Sequence, residues 1–287
     1  MRVRTAVIPA AGMGTRFLPA TKALPKELLP IIDTPALQLV LDECAEAGID
    51  HVVIVTSPSK PSIEAYFAPA PEVLERLRAT GRHDMAASLE RIGTDVRVSF
   101  VTQDFPHGLG HAVSCARPVV GDEPFAVLLP DELMADGSLL RQLIDLSDRT
   151  GGSTVGLMRV PLDEVSRYGV VAPSGPLDAD GVLPIGTMVE KPAAADAPSD
   201  IIIIGRYVLT NDVFDHLDRV QPGTGGEIQL TDALRTQAAA GPFHGVLNRT
   251  TRYDTGTPFG WLTAVIERGL ADDAIGPALR AWLAEHL

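Results

Sequence analysis

The sequence predicts an α/β protein in which helices cover both faces of one central sheet, a three-layer α/β/α sandwich. Over roughly the first half of the chain, short apolar runs alternate with amphipathic stretches, the rhythm of βαβ units and a parallel sheet. In the second half, apolar runs follow one another with prolines and glycines between them. We therefore expect a mixed but mostly parallel sheet, with a main domain over residues 1–264 and a C-terminal helical segment over residues 265–287.

The elements follow from local patterns taken in order. The first strand, residues 3–8, is an apolar run that ends at Pro9, and a helix over residues 35–47 should stop at Gly48. Further apolar runs predict strands at 51–56, 96–102, 125–129, 153–160, 169–173, 181–190 and 201–209. Amphipathic stretches predict helices at 111–116 and 139–147, a helical insertion at 71–91, a short helix ending at Leu217, a helix within 226–240 and two helices over 258–285. The central sheet that these elements would form is Rossmann-like.

Charge and composition exclude several classes of protein. The chain carries 24 Lys and Arg against 37 Asp and Glu, a net charge of -13, whereas a nucleic-acid-binding protein normally presents a basic face. An anionic substrate would therefore need a locally positive pocket or a metal ion. No apolar run approaches the roughly 18 residues of a membrane helix. Cys44 and Cys115 are typical of buried thiols in a reducing compartment, so we expect a cytoplasmic protein. From the charge and the short apolar runs, we expect neither a nucleic-acid partner nor a membrane partner.

The stretch "PAAGMGTRFLPATKALPKELLP", residues 9–30, leaves the carboxyl end of the first strand, where open α/β sheets bind ligands. It lacks the Gly-Lys-Ser/Thr of a Walker loop, and Phe17 stands where the dinucleotide fingerprint needs glycine. What remains is a glycine turn followed by Arg16, Lys22 and Lys26. Glycines there free backbone N–H groups to face a phosphate or a base. An ordinary βα turn with solvated cations is the alternative.

Two carboxylates far apart in the sequence are candidate metal ligands. Asp131 follows an apolar strand in "VLLPDELM", and Asp254 precedes a predicted helix in "RYDTGTPFG". Carboxylates at a strand end can hold Mg²⁺. Helix capping without a metal is the competing interpretation of each aspartate. Glu132 should point to the opposite face of an extended strand from Asp131, so we expect it to be structural.

Later stretches offer candidate contacts to a sugar phosphate. In "MVEKPAA", Glu190 can accept hydrogen bonds from hydroxyl groups while Lys191 reaches a phosphate, although an exposed charge pair would look the same. Gly169, in "RYGVVAP", lets backbone approach a ligand closely. Glu227 in "GTGGEIQLTD" needs no role beyond the helix dipole. The histidines are expected to be structural.

In this order and spacing, these motifs resemble one family, the sugar-1-phosphate nucleotidylyltransferases. The resemblance runs from about residue 5 to residue 261 and also rests on "GLGHAV", "RYGVV", "VEKP", "IGRYVL" and "YDTGTPFGWL". The long first motif is highly specific, whereas "VEKP" alone is weak. Position 34, where relatives often carry lysine, is Thr34, and position 132 is variable. The resemblance implies a sheet of the nucleotide-diphospho-sugar transferase type.

The resemblance also implies a role for each candidate residue. The implied nucleotide contacts are Ala10, Ala11, Gly12, Gln103 and Gly108; the implied catalytic cations are Arg16, Lys26 and Lys191; the implied sugar contacts are Gly169, Glu190 and Lys191; and the implied Mg²⁺ ligands are Asp131 and Asp254. Gln103 and Gly108 would read the uracil edge.

The implied reaction joins UTP and glucose 1-phosphate to give UDP-glucose and pyrophosphate, in a homo-oligomer, dimer or tetramer. Alternatives are a sibling that uses dTTP or CTP, or another sugar phosphate, and a non-catalytic sugar-nucleotide-binding subunit. A glycosyltransferase would normally carry Asp-x-Asp where this chain reads Asp131-Glu132-Leu133.

Overall fold

The fold is built on a nine-stranded sheet, as described by a computed structural model that covers residues 3–223 and 226–286. Outside these ranges lie residues 1, 2, 224, 225 and 287. The ends of the predicted domains and part of the "GTGGEIQLTD" loop fall on these residues. The strands are β1 (Thr5–Pro9), β2 (Pro30–Ile31), β3 (Thr34–Pro35), β4 (His51–Thr56), β5 (Arg97–Thr102), β6 (Phe125–Leu128), β7 (Glu132–Met134), β8 (Ser153–Arg159), β9 (Gly169–Pro173), β10 (Val182–Glu190), β11 (Ile201–Leu209), β12 (Phe243–Leu247) and β13 (Arg252–Asp254).

Helices cover both faces of this sheet. They are α1 (Ala36–Glu46), α2 (Pro61–Phe67), α3 (Pro71–Ala79), α4 (His83–Arg91), α5 (Leu109–Cys115), α6 (Arg117–Val120), α7 (Ser138–Thr150), α8 (Val213–Leu217), α9 (Leu230–Ala240), α10 (Pro258–Ala271) and α11 (Gly276–His286). The predicted insertion at 71–91 is the helical pair α3 and α4. The predicted domain boundary at 264/265 lies inside α10.

The strand order is β5-β4-β1-β6-β11-β8-β12-β10-β9, and β10 and β11 run opposite to the other seven strands. The prediction of a mixed but mostly parallel sheet is therefore confirmed. Sequence patterns did not show β12, which lies between β8 and β10, because two of its five residues are a histidine and a glycine that weaken its apolar pattern.

The core forms two layers, one on each face of the sheet. Along β1, Ala6 and Ile8 pack into one apolar cluster while Val7 packs into the other, since neighbouring side chains on a strand point to opposite faces. Every residue of β4, β6 and β11 is buried. Burial on both faces explains why these strands are continuous apolar runs, and it confirms the three-layer prediction.

Both cysteines lie in helices and are free thiols, but only Cys44 is buried, whereas Cys115 is half-buried. The expectation of two buried thiols was wrong for Cys115, which lies near the end of α5, next to His111. Across residues 3–223 and 226–286, no helix is both long and apolar enough to cross a bilayer.

Candidate active site

A cleft of about 780 Å³ opens where β1, β4, β5 and β6 end side by side. Because these four strands are parallel, the loops that leave their carboxyl ends meet at one edge of the sheet. Eleven of the twelve residues predicted from the sequence line this cleft: Ala11, Gly12, Arg16, Lys26, Gln103, Gly108, Asp131, Gly169, Glu190, Lys191 and Asp254.

Ala10 is the exception, because it is fully buried behind the cleft. Its backbone N–H donates to Val55 at 2.7 Å, and its carbonyl oxygen accepts a hydrogen bond from Lys60 Nζ, also at 2.7 Å. Both backbone groups therefore have protein partners. The backbone opens toward the cleft one residue later, and a Cβ added to Gly12 would meet no atom within 4 Å.

The loop after β1 winds through three short 3-10 turns rather than one helix. Gly14 begins them with a φ of 63°, a left-handed conformation that favours glycine, and its carbonyl oxygen accepts a hydrogen bond from Thr21 at 2.8 Å. The winding turns Arg16 and Lys26 toward the same cleft. Underneath, the nearly buried Lys60 contacts Glu27 at 2.8 Å, an ion pair that sequence reasoning missed.

Asp131 and Asp254 are brought together by a small two-stranded sheet. Asp131 stands between β6 and β7, and the pairing of β7 with β13 sets Asp254 opposite Glu132. A Cβ added to Gly256 would lie 2.9 Å from Asp131 Oδ2 and 3.1 Å from Asp254 Oδ1. The two carboxylates therefore face one small space that glycine leaves open. Neither aspartate caps a helix: Asp131 precedes a strand, and Thr257 caps α10 by accepting from Gly260 N.

Cations surround these carboxylates. Lys26 Nζ contacts Asp131 Oδ2 at 2.5 Å, Arg16 donates to the carbonyl oxygen of Gly256 at 3.4 Å, and Arg167 lies 3.7 Å from Asp254. Burial raises the pKa of Asp131, but the charge and hydrogen bond of Lys26 outweigh it, so this pKa lies below its usual value. For Lys26 the directions are reversed: burial lowers its pKa, but the charges of Asp131 and Glu27 outweigh burial, so this pKa lies above its usual value. Both groups therefore stay charged near neutral pH.

Two arginines hold the strand that follows Asp131. Arg252 donates to the Glu132 carboxylate at 2.5 Å, which ties β13 to β7. Arg206 is completely buried and donates to the carbonyl oxygens of Leu129 and Glu132, on either side of Asp131. Its charge is balanced by Glu43 of α1 at 2.6 Å. These contacts agree with the structural role predicted for Glu132, but Glu132 also lines the same cleft as Asp131, which the prediction of opposite faces did not include.

Gly169, Glu190 and Lys191 form the far wall of the cleft. The pairing of Ile202 in β11 with Val170 in β9 brings the start of β9 to this position. Glu190 accepts a hydrogen bond from Thr231 at 2.6 Å and pairs with Lys191 at 3.2 Å. Lys191 leaves the strand with a φ of 46°, and this turn allows two consecutive side chains to face the same cleft. The Lys191 side chain is 53% exposed, so its ammonium can reach a ligand.

Gln103 and Gly108 lie on the opposite wall. The amide nitrogen of Gln103 donates to the carbonyl oxygen of Gly108 at 3.3 Å and contacts His111 Nδ1 at 2.8 Å. Gly108 has a φ of 95°, and an added Cβ would lie 2.8 Å from the carbonyl oxygen of Ile228, so glycine is required there. This wall is closed by the segment that leads into α9.

In the described residues no group of three or more His, Cys, Asp or Glu side chains could hold a metal ion. A cation between Asp131 and Asp254 would therefore take its other oxygen ligands from water or from a bound phosphate, as Mg²⁺ commonly does. The space beside Gly256 and the hard oxygen donors fit such an ion.

The mixed sheet and this cationic cleft with two convergent carboxylates define a phosphate-handling transferase of the nucleotide-binding α/β type. The chain belongs to the nucleotidyl transferase family, whose model matches residues 5–267.

Within that family, it is 45% identical to a UTP–glucose-1-phosphate uridylyltransferase of Streptococcus pneumoniae, over 98% of this chain and 95% of the relative. Two solved structures are also similar. The UTP-bound enzyme of Acinetobacter baumannii, described as a UGPase, is 36% identical with a TM-score of 0.91, over 99% of each chain. A UDP-glucose pyrophosphorylase complexed with UDP-glucose is 39% identical with a TM-score of 0.85, over 94% of this chain and 100% of the other.

Proposed function

We propose that this protein transfers the uridylyl group of UTP to glucose 1-phosphate, forming UDP-glucose and pyrophosphate. One observation carries the proposal: Arg16, Lys26, Lys191 and two aspartates, drawn from distant parts of the sequence, line a single cleft. Relatives named for this reaction match nearly the whole chain.

The reaction is an in-line displacement at the α-phosphorus of UTP. A phosphate oxygen of glucose 1-phosphate forms the new bond to that phosphorus. The bond to the bridging oxygen of pyrophosphate breaks, and pyrophosphate leaves with the electron pair. The attacking phosphate is already ionised near neutral pH, so no side chain has to remove a proton from it.

The main barrier is repulsion between two anions, and the cations of the cleft reduce it. Arg16 and Lys26 approach from the loop after β1 and would neutralise the triphosphate and the departing pyrophosphate. Lys191 lies on the far wall and would hold the sugar phosphate. Fixed charges in a water-poor site stabilise such a transition state because they need no reorganisation during the reaction.

Asp131 and Asp254 would hold the divalent cation, which we propose is Mg²⁺. When bound, such an ion withdraws charge from phosphate oxygens and makes the α-phosphorus more electrophilic. The low pKa of Asp131 keeps its carboxylate available for a cation over the whole neutral range.

The remaining residues would set specificity. Ala11 and Gly12 would offer backbone to the base and ribose, and Gln103 and Gly108, which line the same cleft, would read the uracil edge. Glu190 would accept hydrogen bonds from the glucose hydroxyl groups beside Gly169. The role first assigned to Ala10 becomes one of support, since its backbone groups bind Val55 and Lys60.

A homo-oligomer is part of the proposal. Phe259, Leu262 and Ile266 on α10 and Trp282 on α11 are exposed apolar side chains, and such a surface suits a second copy of the chain. The division at 264/265, the oligomeric contact of residues 265–287 and a cytoplasmic location stay predictions.

Release of pyrophosphate by the purified protein tests the function. We expect one pyrophosphate per UDP-glucose formed from UTP and glucose 1-phosphate, with no release when the sugar phosphate or Mg²⁺ is omitted. A panel of UTP, dTTP and CTP against glucose 1-phosphate and galactose 1-phosphate distinguishes the sibling enzymes. The absence of product from every pair would overturn the proposal in favour of a non-catalytic binding subunit.

A further inference from the structure

We propose that His111 is a specificity-determining residue that fixes the amide orientation of Gln103, so that the cleft accepts uracil and rejects cytosine. The inference rests on the proposed function, because it assumes that Gln103 faces the pyrimidine of a bound nucleotide. It assigns a role to a histidine that the reaction itself does not use.

The orientation of the Gln103 amide follows from its two neighbours. The carbonyl oxygen of Gly108 can only accept a hydrogen bond, but it lies 3.3 Å from the Gln103 amide nitrogen, so this long contact favours the NH₂ on that side only weakly. The same nitrogen lies 2.8 Å from His111 Nδ1. An amide nitrogen carries two hydrogens, and these two contacts use both of them.

The contact with Gln103 also fixes the tautomer of His111. Since Nδ1 must accept a hydrogen from the amide, the ring proton lies on Nε2, which is 3.9 Å from Cys115 Sγ. Burial and the neighbouring His107 ring, 5.3 Å away, lower the pKa of His111, which keeps the imidazole neutral and able to accept. From Gln103 through His111 to Cys115, each donor thus faces a group that can accept its hydrogen.

With both hydrogens used, the carbonyl oxygen of Gln103 is the atom that this side chain can present to the cleft it lines. Uracil has an N–H at position 3 that can donate to this oxygen. Cytosine has a lone pair at the same position, which the oxygen repels. Thymine also carries the N–H, so the device separates UTP from CTP and does not separate UTP from dTTP.

His111 can be changed without moving the helix that carries it. Gly110 N donates to the carbonyl oxygen of Ile228 at 2.8 Å, and a Cβ on Gly110 would clash with Ile228 and Leu217. This backbone contact anchors the start of α5 independently of the imidazole. A loss of selectivity in a His111 variant can therefore be separated from a general disturbance of the wall.

The test compares His111→Leu, which has no acceptor, with His111→Asn, whose side-chain oxygen is attached at the same Cγ as Nδ1. Both variants and the unchanged protein are assayed with UTP and with CTP at saturating glucose 1-phosphate and Mg²⁺. We expect His111→Leu to lower the ratio of kcat/KM for UTP to that for CTP about tenfold, the scale of one mismatched hydrogen bond. We expect His111→Asn to keep most of the ratio.

Equal losses with both nucleotides in His111→Leu would overturn the inference, since they would indicate a merely structural histidine. The same conclusion would follow if His111→Asn lost the ratio as fully as His111→Leu. Calorimetric binding of UTP and CTP separates this inference from the proposed function. A protein that prefers UTP in binding but forms no UDP-glucose refutes the function alone, whereas equal binding of both nucleotides refutes the role of His111.

Discussion

Replacing Arg206 by methionine should destabilise the protein strongly, because Arg206 is a fully buried cation with five hydrogen bonds. Two of these bonds, at 2.8 and 2.6 Å, go to the carboxylate of Glu43, and the others go to backbone carbonyl oxygens. Methionine fills a similar volume but donates nothing. The change therefore leaves a buried carboxylate and the Glu132 carbonyl oxygen without the partner that they have now.

The magnitude follows from the pair that is broken. Removing one partner of a buried ion pair typically costs about 3–5 kcal/mol, because the remaining charge is uncompensated. We expect Arg206→Met to lower the free energy of unfolding by about that amount in urea titrations followed by circular dichroism. The double change Glu43→Leu with Arg206→Met removes both charges and should recover about 2 kcal/mol or more of the loss. The carbonyl oxygen of Glu132 would still lack its donor.

Arg159→Met provides the matched control, since Arg159 pairs with Asp200 at 2.6 Å on the surface with half of its side chain exposed. Exposed ion pairs contribute about 0–1 kcal/mol, so this variant should unfold close to the unchanged protein. The reasoning is refuted if Arg206→Met costs less than the surface control, or if the double variant is less stable than the single one. Either result would show that the pair is not the source of the stability at this position.

Three further outcomes are expected. Lys191→Ala should keep the fold and lose roughly a hundredfold in turnover, whereas Lys22→Ala in the loop after β1 should keep near-normal turnover; equal rates in the two variants would remove Lys191 from the mechanism. Gly256→Ala should raise the Mg²⁺ concentration needed for half-maximal activity, because its Cβ would lie 2.9 Å and 3.1 Å from the two aspartate oxygens, while Gly241→Ala, with no atom within 4 Å, should not. Burial and Arg97 lower the pKa of His51 from 6.5, so the folded state binds this proton less readily than the unfolded state. Stability should then fall as the pH drops below about 6.5, and His51→Gln should reduce that fall in thermal unfolding scans.

The sequence allowed the main strands and the lining of the cleft to be predicted because each depends on local patterns. The strands at 51–56, 169–173 and 201–209 have the predicted ends, since their apolar runs are bounded by polar or turn residues. Glycines, cations and carboxylates that follow strand ends marked much of the cleft, whereas Gln103, Gly108 and the role of each residue were implied by the family resemblance. Burial behind the cleft, as for Ala10, depends on what packs there and could not be read from the motif.

The supporting ion pairs were missed for a different reason. Lys60 and Glu27 are 33 residues apart, and Arg206 and Glu43 are 163 residues apart, so neither pair has a local signature. In the sequence each residue looks like an ordinary surface charge. Only the folded chain shows that Lys60 and Arg206 are buried and that each holds a backbone segment of the site. A charged residue inside an otherwise apolar strand, as in "IGRYVL", is a signal that could have pointed to Arg206.

Glu132 shows why structural and functional roles are not alternatives at this site. Its carbonyl oxygen accepts from Arg206, its carboxylate accepts from Arg252, and its backbone pairs with Asp254 across the small sheet. Glu132 does not have to touch a cation to matter to one. Through its contact with Arg252, the Glu132 side chain fixes the strand that carries it, and the same strand positions Asp254. Asp131 and Asp254 are 123 residues apart in the sequence. Their convergence therefore depends on Glu132, the residue for which the sequence predicted only a structural role.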